Sequence, residues 1–86
     1  MTRTVHKYKL ELTSEVQRWL MRETYKVVHV GLQNGFIHLW VEVDTDTYNA
    51  ERRFQIFGTG HNIPDSAVHV GSVMVDPYVW HVYDVT

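Results

Sequence analysis

The 86-residue sequence contains no cysteine. Disulfides, thiolate zinc sites and cysteine nucleophiles are therefore excluded. Alanine is almost missing, with two residues, and leucine is scarce at five. A bundle of helices built from strong helix formers is disfavoured on that ground. No apolar run approaches the roughly 18–20 residues that a membrane-spanning helix needs. The N-terminus lacks a continuous apolar stretch, so no signal peptide is expected. Basic residues are not in excess: eight Lys and Arg stand against ten Asp and Glu, a net charge of −2 with histidines neutral. General binding to DNA or RNA rests on basic surface that releases counterions, and this balance argues against it. The expectation is a soluble cytoplasmic protein with neither membrane nor nucleic acid as partner.

What fills the composition is β-branched and aromatic. Fourteen Val, three Ile, eight Thr, five Tyr, three Phe and three Trp make 36 of the 86 residues. Such side chains suit a pleated, half-buried surface. The length allows one domain, residues 1–86. A chain this short buries only about 60–65% of its unfolded surface, so association with another chain is a natural source of added stability. Charge is uneven. Residues 1–30 hold six basic and three acidic side chains, whereas residues 61–86 hold three Asp and no Lys or Arg.

Alternation marks Thr4–Leu12 as a strand, with His6, Tyr8, Leu10 and Leu12 on one face. Thr13–Glu23 is open to two readings: a capped helix with Val16, Trp19 and Leu20 at helical spacing, or a short strand through Gln17–Met21. Tyr25–Gln33 and Phe36–Asp44 flank Asn34-Gly35, the strongest short hairpin signal available. A two-residue type I′ loop makes paired residue numbers sum to 69. Val28, Val30, Leu32, Ile37, Leu39 and Val41 then form a core face, with Lys26 opposite Val43. His29, His38 and Trp40 fall on the other face. Arg52–Gly58, Val68–Val75 and Tyr78–Val85 are further strands, the last two joined at Asp76-Pro77. The predicted fold is all-β: a small antiparallel sandwich or barrel of six to seven strands around the Asn-Gly hairpin.

The order of landmarks is distinctive. His6-Lys7-Tyr8 opens the chain, followed by Val30-Gly-Leu-Gln-Asn-Gly35, Leu39-Trp40, and Ile56-Phe-Gly-Thr-Gly-His-Asn-Ile-Pro-Asp65. Gly71 and Val79-Trp-His-Val-Tyr83 complete it. This series resembles a family of short proteins encoded mainly by bacteriophages and prophages, over nearly the whole chain. The Gly-Thr-Gly-His-x-Ile-Pro loop is the most specific piece. In relatives the region of Val16–Tyr25 looks like a strand followed by a turn with proline or glycine, which favours the strand reading; this chain has Arg22-Glu-Thr24 there. The resemblance implies a phage accessory protein in the host cytoplasm and brings no catalytic residues.

Three groups of residues could carry function. His29, His38 and His61 could converge on a metal, but nothing in their spacing demands it, and strand histidines beside aromatics are ordinarily surface; no metal or other cofactor is expected. The loop Gly58–Asp65 could let a ligand approach its backbone closely, giving Gly58, Thr59, Gly60 and His61, with Trp40, as candidate ligand-binding residues. The plainer reading is a rigid turn. The aromatics exceed what one small core absorbs, and His29, His38, Trp40, Tyr78 and Trp80 are the candidate interface of a two-fold homodimer. No nucleophile elbow or calcium loop is present, so no enzyme activity is expected. The leading expectation is a non-catalytic protein that binds a host protein. A nucleotide-sequestering protein and, more distantly, a virion component are the alternatives.

Overall fold

The computed structural model describes residues 1–86. Seven strands follow in order: β1 (Arg3–Lys9), β2 (Gln17–Arg22), β3 (Tyr25–Gln33), β4 (Phe36–Asp44), β5 (Asn49–Gly58), β6 (Val68–Val75) and β7 (Tyr78–Asp84). Pairing is antiparallel throughout, and the strands form two sheets, β1-β4-β3 and β2-β5-β7-β6. The result is a sandwich rather than a closed barrel. Thr13–Glu23 takes the strand reading, because Gln17–Arg22 pairs along β5.

The hairpin turn forms as its residues dictate. Asn34 and Gly35 have φ of 53° and 81°, the left-handed values that a type I′ turn requires. Near the turn the register is the expected one, with Leu32 opposite Ile37, Val30 opposite Leu39 and His29 opposite Trp40. It then shifts between Val27 and His29, so Val27 faces Val41 and Tyr25 faces Val43. The strict register would have driven the Lys26 ammonium between the sheets. The bulge inserts one extra residue, Val28, and exchanges Lys26 for Tyr25, whose ring packs edge-on against Phe54. The expected core face is corrected at two positions. Val28 is 46% exposed because it is the bulged residue, and Leu32 is 44% exposed because it lies at the hairpin tip beyond the second layer.

Inward side chains of β4 and β5 make the centre: Ile37, Leu39, Val41 and Val43 from one sheet, Phe54 and Ile56 from the other, joined by Leu10, Met21 and Val82. β1 is shorter than the alternation suggested. Leu10 still turns inward and donates its N–H to the Ile37 carbonyl at 2.8 Å, but Leu12 is exposed. β7 lies between β5 and β6, with Trp80 packed against the core and Tyr83 covered outside by Phe57 and His69 at ring distances of 5.5 and 5.2 Å. β6 carries its own bulge, between His69 and Gly71. Because both β5 and β6 run antiparallel to β7, they are parallel to each other. The connection 59–67 must therefore travel the length of the sheet.

At Gly71 the two layers meet closely. A Cβ at this position would stand 2.4 Å from a methyl carbon of Val30 on β3. Gly71→Ala should lower stability by about 1–3 kcal/mol through overpacking, and a second change, Val30→Ala, should recover part of that loss; a double-mutant cycle in urea checks the coupling. Leu39→Ala should cost about 2–5 kcal/mol, since Leu39 is fully buried at the centre of the core. A loss under about 1 kcal/mol in the same measurement would contradict its central place.

Candidate functional site

The hairpin tip, the end of β1, the end of β5 and the start of β7 gather at one end of the sandwich. Here β5 stops at Gly58. The His61 N–H donates to the Gly58 carbonyl at 3.1 Å, and the Gly58 N–H donates to His61 Nδ1 at 3.1 Å. Acceptance at Nδ1 places the proton of the neutral ring on Nε2. The imidazole lies directly on Gly58, where a Cβ would come within 2.9 Å of Cε1. Gly60, at φ 89°, supplies the left-handed step that turns the chain back. The glycines thus serve the loop's own closure.

Trp80 stands in register with Gly58 on the neighbouring strand. Two crevices of about 210 Å³ each share Gly58, His61 and Trp80 as their common wall. The first is completed by Ile56 and by Leu12, Thr13 and Ser14 of the β1–β2 connection. That connection is held firmly. Gln55 donates to the Ser14 carbonyl at 2.8 Å, and the Gln17 amide both donates to the Glu11 carbonyl and accepts from the Glu11 N–H. The second crevice is completed by Thr59, Tyr78 and Val79. The lining is largely apolar, with an imidazole and hydroxyls at the rim. It can take up an aliphatic or aromatic group and give it a few hydrogen bonds.

Of the residues expected to bind a ligand, Gly58, Thr59 and His61 are brought together here, and Gly60 shapes the loop without lining either crevice. Trp40 is elsewhere. It lies on the outward face of β1-β4-β3, between the rings of His29 and His38 at 5.2 and 5.7 Å. The expected interface set divides in the same way: Tyr78 and Trp80 at the crevices, His29, His38 and Trp40 on that other face. The three histidines considered for a metal do not converge, and the chain has no cluster of three or more His, Asp or Glu groups placed to hold a metal ion.

A side-chain chain escaped the sequence reading. Thr59 Oγ1 contacts His81 Nε2 at 3.0 Å, His81 Nδ1 contacts Ser72 Oγ at 2.8 Å, and Ser72 Oγ contacts His69 Nε2 at 2.9 Å. It ties the first loop residue to β7 and β6 on the outward face of the four-stranded sheet. A signal for it existed. The two-residue Asp76-Pro77 connection makes facing numbers sum to 153, which sets Ser72 opposite His81. Through Thr59 and Trp80 the Gly-Thr-Gly-His loop meets the Trp-His-Val ending.

A two-layer β-sandwich with a pair of apolar crevices at one end, closed by a glycine-rich loop, defines the class of this protein. The chain belongs to the DUF7352 family, described as a domain of unknown function, whose model matches residues 1–86. No curated protein and no solved structure matches the chain.

Two titratable groups stand apart from their ordinary values, and both lie between the sheets away from the crevices. Burial raises the Tyr8 phenol, with Arg22 opposing weakly. Burial also raises the Tyr25 phenol, reinforced by its hydrogen bond to the Asp84 carboxylate. An unfolded phenol ionises near pH 10, about where the folded Tyr25 is still neutral. Above that pH the unfolded chain holds fewer protons, so stability is unaffected below about pH 10 and falls as pH rises through the folded value. Urea midpoints measured up the alkaline range should decline there, and Tyr25→Phe should flatten the decline.

Proposed function

We propose that this protein is a non-catalytic phage accessory protein that acts in the host cytoplasm by binding a host protein, and that its docking surface is the crevice end of the sandwich. One observation carries the reading. Paired apolar crevices, walled by Trp80 and His61, open between two side chains that are left largely in solvent, Tyr78 at 64% and Leu12 at 55% exposure. Exposed apolar side chains around formed crevices favour a partner whose own side chains seat in them, and buried aromatics beside such crevices are the usual anchors of interface energy. In the free protein the same end supports a two-fold homodimer, so self-association and partner binding compete for one surface.

The second reading is sequestration of a nucleotide-like small ligand in the same crevices. The Trp80 indole could stack a base, and His61 and Thr59 could donate to it. Size places this reading second: each crevice holds about 210 Å³, below the roughly 300–1,000 Å³ of sites that enclose a small molecule.

Light scattering at micromolar concentration should give about twice the 10.1 kDa chain mass, and the exposed-site variant Leu12→Ser/Tyr78→Ser should return it to one chain mass. As baits in host lysate, the wild type should recover a specific protein that the variant loses. Equal recovery by both would remove the docking surface from this end. A rise in melting temperature on adding nucleotides, absent with the variant, would favour the second reading.

A further inference from the structure

The net charge of −2 hides a segregation of charge between faces. The register of β1, β4 and β3 sets Arg3, Lys7, Lys9 and Lys26 on one outward face. Its only carboxylates, Glu42 and Asp44, sit at the far end of β4. Glu42 is paired with Arg3 at 3.1 Å, and Asp44 accepts from the Asp46 N–H in its turn. The half of the face nearer the hairpin tip has no acid on its strands, and Glu11, just beyond β1, reaches Lys9 at 3.8 Å.

That half is aromatic. Trp40 lies between His29 and His38, and Phe36 follows two residues before His38 on the same strand face. Across the strand pair, Lys7 stands opposite Trp40 and Lys9 opposite His38, which is buried at 6% exposure and backs the Trp40 ring. The Lys7 ammonium donates to Gln33 on β3, and the Lys9 ammonium stands 4.2 Å from the centre of the Phe36 ring. Neither contact neutralises the charge of its lysine, and the exposed pair that Lys9 makes with Glu11, worth little in water, yields readily to a phosphate. His38 is held in place by a 2.9 Å hydrogen bond from Nδ1 to the Phe36 carbonyl. Gly31, opposite His38, adds no side chain of its own, and the His29 ring lies over it.

We propose that this face binds a short stretch of single-stranded nucleic acid. The accessible rings of Phe36, Trp40 and His29, with Lys7 and Lys9 beside them, match bases and phosphates: each base offers a face to stack on, each phosphate a charge to neutralise. Phe36 to Trp40 spans about 13 Å of strand, the length of roughly four stacked nucleotides. A duplex hides its base faces and cannot use the rings. No residue of this surface lines either crevice, so the two proposals stand or fall separately.

The test uses the whole protein and a fluorescein-labelled ten-nucleotide oligo-dT strand, followed by anisotropy and by tryptophan fluorescence. Saturable binding with quenching is expected in 50 mM salt. Neutralising two phosphates should weaken it about 25-fold in 500 mM salt. Trp40→Ala should weaken binding by about 5- to 100-fold. Lys7→Gln/Lys9→Gln changes only exposed positions and should flatten the salt dependence with the melting temperature unchanged. No saturable binding in 50 mM salt overturns the proposal. So does binding that the double lysine variant leaves intact, or equal affinity for the same sequence as a duplex or for dTMP alone.

Discussion

Four inward side chains of one strand hold this molecule together. Ile37, Leu39, Val41 and Val43 of β4 are all buried, and β4 is the middle strand of its sheet. β1 and β3 can each pair with it only by laying an apolar edge against the second layer. The alternation along β4 leaves no freedom of register, because a slip of one residue would bring His38, Trp40 and Glu42 inward. The strand is thus core on one side and chemistry on the other. The ring row around Trp40 is set out at two-residue intervals by the same pleat that buries Leu39.

Where the partner strand cannot satisfy that demand, the backbone gives way rather than the core. Tyr25–Gln33 places Lys26 in the wrong phase for a strict pairing. One bulged residue at Val28 is enough to send Lys26 outward and bring Tyr25 and Val27 in. A buried ammonium with no partner would cost far more than one disrupted pair of ladder bonds. Tyr25 then brings its phenol to the Asp84 carboxylate and its ring under the Arg52 guanidinium, so a local adjustment in one sheet orders the polar margin of the other.

This contrast shows what was legible in the sequence. Asn34-Gly35 encodes a turn through two residues' backbone preferences, which needs no tertiary context, and the strands on either side were readable from their alternation. The bulge depends on the energy of placing Lys26 between two sheets, and the second sheet was not visible from the hairpin alone. The crevices were half legible. The glycines and His61 announce a tight loop, but Leu12, Ser14, Ile56 and Trp80 come from three separate segments, and only the stacked layers bring them to His61. Trp40 is aromatic and near histidines in the register, which says nothing about which side of the sandwich it shares with the loop.

The bulge in β6 has a consequence for solubility. Each sheet ends in open strands whose free N–H and C=O groups can recruit another chain. β1 guards its edge with Arg3, Lys7 and Lys9, β2 with Arg18 and Arg22, and β3 with Lys26 and its own bulge. β6, running Val-His-Val-Gly-Ser-Val-Met-Val, has no Lys, Arg, Asp or Glu at all. On that border the irregularity between His69 and Gly71 is the whole defence, twisting the strand out of the flat, regular line that a foreign strand would need to extend the sheet.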